Sequence, residues 1–440
     1  MISRDVLVPA LREFLPRQRW FAGQAGELEQ LEVAAIEVIH KDWPVLVHLL
    51  VDVTVAGRKA TYQVVLGLRP DAGERFFEGK ADALIGELPT DMGEAFVYDA
   101  VIDPVLSLCL LEHVAPAERV ERARMLTSEQ TNSSIVYDER LILKLYRRLA
   151  DGPNPDAEVT RALAAVGFDH VAPPIAEWRG DNTHYAVVNE FLVGATEGQQ
   201  LAITSLRDLY DRRCDPAEAG GDFAPEANRL GGITARMHVA LGEAFGTAPG
   251  DAAAWAADME RQLQRVGDAV PAARVREVYE RFERTADAGA AIRIHGDYHL
   301  GQVVRTDTGW YVLDFEGEPA RPVDERRRPS SPLRDVAGML RSLDYATQIA
   351  LAEFGIEADD ELMDLGREWE ERNSAAFVAG YTAVDGVDRL LPGDEQNRAL
   401  LLDVFQLDKA VYEVAYEQGH RPDWVGIPID AVNRILERAF

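Results

Sequence analysis

Strand and helix patterns are segregated along this chain. Apolar β-branched runs crowd into its first 195 residues, whereas almost everything beyond residue 200 carries helical periodicity. Such segregation is that of an α+β protein. One stretch breaks the helical part. IRIHGDYHLGQVVRTDTGWYVLDFEGEP (292–319) contains two short β runs, QVVRTD and GWYVLDFE, around a Thr-Gly turn, with polar and charged residues at its loop ends.

Residues 1–88 read as a small α+β unit. A short helix (Val6, Leu11, Phe14, Leu15) precedes VLVHLLVDVTV and ATYQVVLGL, an antiparallel hairpin turning at Ala56-Gly57-Arg58. From Asp91, FVYDAVIDPVLSLCLLEHV reads as helical. SSIVYD (133–138) and ERLILKLYRR (139–148) are strands joined at Asp138-Glu139, a helix starts near Pro155-Asp156, and HYAVVNEFLVGA (184–195) is a further buried strand. The chain is thus divided into 1–88, 89–195 and 196–440.

The formal charge of −29 repels nucleic-acid phosphates and anionic lipid alike, which argues against a polyanion or a membrane surface as partner. Cys109 and Cys214 are too few for a disulfide framework and lack zinc-cluster spacing, which fits a reducing cytoplasm. The N-terminus has no unbroken apolar core of a secretory signal. Apolar stretches such as Trp43–Val53 fall well short of the ~20 residues that span a bilayer.

The interrupting stretch carries the chemistry. Asp297 lies in HGDYHLGQ and Asp314 in the DFE that ends the next strand, so two carboxylates can converge on one cavity. Phosphoryl transfer needs such a pair, one to accept the proton of an attacking hydroxyl and one, beside an amide oxygen, to hold Mg²⁺. Asp297 suits the first role, and Gln302 with Asp314 the second. Each tripeptide alone reads better as an Asx turn or a strand end; the pair in this order with its amide is much more specific. Upstream, Lys144 interrupts an apolar strand, where an ammonium is costly unless an anion meets it; strand alternation turns it to solvent equally well. A phosphate and Glu158 would supply that anion. Before this strand, SEQTNSS (128–134) has no glycine-rich pattern, but Ser133 and Ser134 could offer hydroxyls and amides to phosphate. Glu190 and Leu192, at the end of the last strand, are placed to offer backbone groups to adenine. His295 and His299 lack the helical frame of a zinc site, and His238 reads as a helix-packing histidine.

HGDYHLGQ followed by LDFEGEPARPVDERRRPSSPLRDVAGMLRSLDYA resembles the catalytic stretch of the actinobacterial maltokinases, within the aminoglycoside-phosphotransferase-like, protein-kinase-like superfamily. PRQRWFAG (16–23), the SEQTNSSIVYD and LILKLYRR segments, GGDFAPEANRLG (220–231) and LDKAVYEVAYEQGHRPDWVGIPI (407–429) extend the resemblance. It implies a bilobal kinase-like fold with an N-terminal cap and a mostly helical C-lobe. The implied reaction is ATP- and Mg²⁺-dependent phosphorylation of maltose at its anomeric hydroxyl, feeding α-glucan and glycogen synthesis, and a trehalose synthase is an implied partner. Asp297 is then the base, Gln302 and Asp314 metal ligands, and Lys144 a nucleotide-phosphate contact. Tyr298 stands where Leu is common in these enzymes.

Sugar binding calls for aromatic faces and polar edges. Asp408, Tyr412 and Tyr416 share one helical stripe and Glu413 lies on the next, with Arg421 and Trp424 beyond. With His295 these are the expected sugar contacts; an ordinary amphipathic helix would have the same pattern. A related sugar or amino-sugar kinase is the alternative enzyme, its acidic stripe meeting an ammonium. A non-catalytic kinase-like scaffold is the alternative outside enzymes.

Overall fold

The computed structural model describes residues 2–21, 28–71, 73, 75–126, 131–318, 321–355 and 359–439. Ser128–Gln130 of the expected phosphate loop, Ala22-Gly23 of the early motif and Pro319-Ala320 lie outside the described residues. Two compact units form, one of residues Met1–Glu158 and Ala172–Val193, the other of Val159–Val171 and Gly194–Phe440. Among the described residues no helix is long and apolar enough to cross a membrane.

In the first unit, α1 (Arg4–Phe14) presents Leu7, Leu11 and Phe14 on one face. They pack on an antiparallel sheet of β1 (Leu28–His40), β2 (Val45–Val55), β3 (Arg58–Arg69), β4 (Leu84–Thr90) and β5 (Gly93–Asp99), in the order β1-β2-β3-β5-β4. Val45, Val47, Leu49, Val51 and Val53 of β2 join the core beneath α1. Leu46 joins a second core with Val65 and with Leu106 and Leu110 of α2 (Pro104–Val114). Burial on both faces explains why β2 reads as a nearly unbroken apolar run. Ala56 and Gly57, both at positive φ, make the expected tight turn between β2 and β3.

Two expectations change here. Phe96–Asp99 belongs to β5, and helix begins only at Pro104, where Asp103 Oδ1 accepts the Val105 amide and proline occupies the first turn. The division at 88/89 falls inside β4, whose hairpin partner is β5, so the sheet continues to Asp99. A second sheet contains β6 (Ala123–Met125), β7 (Ser133–Tyr137) and β8 (Leu141–Leu145), while β9 (Arg148–Leu149) returns to pair with β3. After α3 (Pro155–Ala165), the unforeseen β10 (Pro174–Arg179) and the expected β11 (His184–Glu190) complete the order β10-β11-β8-β7-β6. The β7–β8 turn is Asp138-Glu139, at φ 52° and 51°, as the sequence suggests.

The second unit is mainly helical around one apolar core. It opens with β12 (Thr196–Glu197), α4 (Gly198–Arg212), α5 (Ala224–Phe245), β13 (Ala248–Pro249), α6 (Ala252–Val266) and α7 (Ala272–Glu283). Then come β14 (Ala290–Ala291), β15 (Val303–Thr306), β16 (Gly309–Val312) and α8 (Val323–Arg326). It closes with α9 (Leu333–Glu353), α10 (Asp360–Thr382), α11 (Glu395–His420) and α12 (Gly426–Ala439). The β15–β16 hairpin pairs with β12, and residues 295–302 form the loop leading into β15. Helices α5 and α10 touch through glycine: a Cβ on Gly231 would lie 2.0 Å from the Phe377 carbonyl oxygen, and one on Gly380 1.9 Å from that of Asn228.

Candidate active site

Within the first unit, Lys144 of β8 faces Ser134 of β7 and Val187 of β11 across the ladder, so these side chains share a face. Its Nζ lies 3.2 Å from Asp156 Oδ2, with the two side chains 15% and 9% exposed. Asp156 shares the first turn of α3 with Glu158, the partner chosen from sequence. Ser133 and Ser134 are buried at the start of β7, where the strand reading puts them, and the Ser133 hydroxyl accepts a bond from Arg147 Nε at 2.8 Å. Glu190 is exposed at the end of β11 and Leu192 half-buried beyond it; between them the Phe191 amide donates to the Arg140 carbonyl at 2.8 Å.

In the second unit, Asp335 in the first turn of α9 organises the HGD loop. Its Oδ2 accepts the His295 amide at 2.8 Å and its Oδ1 the Gly296 amide at 2.9 Å. His238 bridges Asp335 Oδ2 at 3.1 Å and the Tyr381 hydroxyl at 2.8 Å, so this helix-packing histidine also supports the loop. Burial would raise the Asp335 carboxyl; His238, His295 and the Gly296 amide outweigh it and hold it below its ordinary range. Gly296, at φ 85°, supplies the turn that presents Asp297. His295 is buried, with Nδ1 accepting the Asp297 amide at 3.3 Å and Nε2 2.9 Å from the Leu313 carbonyl. Those partners hold the ring inside the loop, so His295, expected from sequence as a sugar contact, is placed as a support of the loop. Tyr298 is buried too, its hydroxyl 2.9 Å from Thr234 Oγ1.

Gln302 Nε2 donates to Asp314 Oδ2 at 3.3 Å, which brings the expected metal pair together. Asp314 has φ 62°, a conformation costing a non-glycine residue on the order of 1–2 kcal/mol, so the surrounding fold holds the carboxylate at a chosen angle. Carboxylate oxygens of Asp314 and Glu316 lie within 4.8 Å of each other. With the Gln302 amide oxygen this all-oxygen set fits a hard divalent cation such as Mg²⁺; sequence reading did not select Glu316.

Sequence reading also missed the cation beside Asp297. Lys409 Nζ on α11 lies 3.3 Å from Asp297 Oδ1 and 3.0 Å from Glu318 Oε1, and 4.7 Å from the Tyr412 ring centre. Burial disfavours the ammonium, but Glu318 and then Asp297 outweigh it and raise Lys409 above the ordinary lysine range. Against the same penalty, Lys409 and Arg321 pull Glu318 down to about 2.

Along α11 the expected sugar contacts separate. Asp408 is 2% exposed and tied to Arg334 at 2.7 Å and Gln262 at 3.1 Å. Glu413 Oε2 takes two bonds from Arg341, at 2.7 and 3.0 Å. Tyr412, Tyr416 and His420 form a stacked column with centroid separations of 6.4 and 4.3 Å, and Tyr416 is 40% exposed. The Arg421 guanidinium lies over the rings of Tyr416, at 6.0 Å, and Trp424, at 5.6 Å.

Residues 126–372 match the model of the phosphotransferase enzyme family, more than half of the chain. The chain is a member of that family. Residues 14–103 of this phosphotransferase match the maltokinase N-terminal cap domain. It is 30% identical to a glucosamine kinase of Streptacidiphilus jiangxiensis over 341 residues, covering 72% of this chain and 74% of that one. A glucosamine kinase of Mycolicibacterium smegmatis is 27% identical over 344 residues, covering 74% and 82%. A solved glucosamine kinase structure superposes on this phosphotransferase with a TM-score of 0.68 at 25% identity, over 97% of this chain and 99% of the other.

Proposed function

We propose that this phosphotransferase moves the γ-phosphoryl group of ATP to a hydroxyl of an amino sugar of the glucosamine class. Glu413 carries the choice of acceptor. Both Arg341 bonds go to its Oε2, and among the described residues its Oε1 accepts no hydrogen bond. Burial outweighs Arg341 and leaves the Glu413 carboxyl above its ordinary range, so a second cation at Oε1 would be stabilised by a charge-assisted hydrogen bond. The relatives named glucosamine kinase support the same acceptor.

In this reading the acceptor O–H proton passes to Asp297 as the oxygen bonds to the γ-phosphorus, and the bond to the ADP oxygen breaks. Lys144 meets the nucleotide phosphates. Gln302 and Asp314, with Glu316, hold Mg²⁺, which when bound neutralises phosphate charge. Maltose, phosphorylated at its anomeric hydroxyl to give maltose 1-phosphate, is the second reading. It is favoured by the cap-domain match and by the exposed ring column, which suits a neutral pyranose equally well.

The test gives the full chain Mg²⁺ and ATP with glucosamine, maltose, glucose or an aminoglycoside, and follows ADP release and product mass. Glucosamine is expected to exceed glucose in kcat/KM by about tenfold or more, the value of one charged contact of about 1.4 kcal/mol. Preference for maltose would replace the first reading by the second. Asp297→Asn is expected to lower kcat by about 10²–10⁴-fold while nucleotide binding persists.

A further inference from the structure

We propose that Lys409 is a positioning residue for Asp297, holding its Oδ1 so that Oδ2 is left to receive the acceptor proton. The inference rests on the reading of Asp297 as the base. A carboxylate turns readily about its terminal torsion, so an unrestrained Asp297 would present either oxygen. Lys409 is itself fixed. Glu318 Oε1 holds its Nζ at 3.0 Å, the Tyr412 ring lies beneath it, and Glu318 Oε2 is in turn held by Arg321 Nε at 2.5 Å. The result is a row of alternating charges, Arg321, Glu318, Lys409 and Asp297, with the base at its open end. Asp297 Oδ2 has His299 Nε2 only at 4.0 Å, beyond hydrogen-bonding distance.

A purely structural role, fastening α11 to the rest of the unit, is already filled. Arg334–Asp408 and Arg341–Glu413 both tie α11 to α9 at 2.7 Å. Lys409 contacts instead the carboxylate that the reaction uses. It also sits one helical turn before Tyr412, at the start of the stacked ring column, so the helix that offers a face to sugar also orients the base.

The test is a double-mutant cycle with the full chain, Mg²⁺, ATP and the best acceptor of the panel. Lys409→Met is expected to lower kcat about 10–100-fold, as loss of an outer partner to a functional group commonly does, with the nucleotide KM within twofold of wild type. In the Asp297→Asn background the same change should lower the residual rate less than twofold, because the carboxylate through which Lys409 acts is gone. If Lys409→Met does not yield folded protein, Glu318→Gln/Lys409→Met, which removes one buried anion with the cation, takes its place and is read the same way. Wild-type kcat, a change confined to sugar KM or thermal stability, or an equal loss in both backgrounds would overturn the proposal. A wild-type rate for Asp297→Asn would instead sink the base reading itself.

Discussion

Asp335 joins three separate segments into one support: the loop through the His295 and Gly296 amides, α5 through His238, and its own helix α9. Two amides on two oxygens of one buried carboxylate is an arrangement an asparagine cannot copy, since its NH₂ would face an N–H. Asp335→Asn is therefore expected to lower stability by about 2–3 kcal/mol in urea unfolding and to reduce kcat about tenfold or more. Unchanged kcat in the folded variant would mean that the loop keeps Asp297 in place without the clamp. His-Gly-Asp was legible in sequence because its members are neighbours and glycine marks a turn. Lys409 and Glu318 were not selected, since α11 is remote in sequence from the loop it meets and a lysine on an amphipathic helix normally faces solvent. That His295 and Asp408 are buried and bonded within the fold was not legible, because polar residues that support a site have the same composition as those that touch a ligand.

At the level of elements, the tight turns at Ala56-Gly57 and Asp138-Glu139 were readable from local chemistry, whereas the extent of the first sheet was not. FVYD satisfies helical and extended patterns alike, and pairing of β5 with both β3 and β4 decides between them. Nor does local pattern reveal how the two sheets of the first unit are fastened. Arg147, just past β8, is fully buried; its Nη2 donates to Asp99 at the end of β5 at 2.7 Å, its Nε to Ser133 of β7, and its guanidinium lies 4.8 Å from the Trp20 ring. Removing one partner of such a pair strands a charge, so Arg147→Met should cost about 3–5 kcal/mol in urea unfolding. The double change Asp99→Asn/Arg147→Met should recover at least half of that loss. Equal losses in the single and double variants would show that packing of the arginine, not its charge, joins the sheets.

Across the whole molecule, family membership is visible because long motif blocks recur in order, but the acceptor choice proposed above turns on which oxygen of Glu413 is occupied, which no linear pattern encodes. The net charge of −29 is similarly uninformative about how stability varies with pH, which depends on the groups whose titration changes on folding. His48 is the clearest of these in the first unit. The residue is 3% exposed, its ring tilted at 52° against Trp178 with centroids 4.4 Å apart and edge-on to Tyr185 at 4.9 Å, with Nε2 3.0 Å from Gln63 Oε1 and Nδ1 3.9 Å from Glu37. Burial first, then the nearby His113, overcome the Gln63 bond and lower its pKa to about 4 from the ordinary 6.5. As pH falls the unfolded chain therefore takes up this proton before the folded one does. The contribution of neutral His48 is complete above pH 6.5 and declines between 6.5 and about 4, by on the order of 3 kcal/mol. His48→Gln, which keeps a donor for Gln63, should flatten the dependence of unfolding free energy on pH in that window by up to one proton relative to wild type, and leave the dependence between pH 7 and 9 unchanged. An identical slope in the two proteins would mean that other groups dominate the acid response.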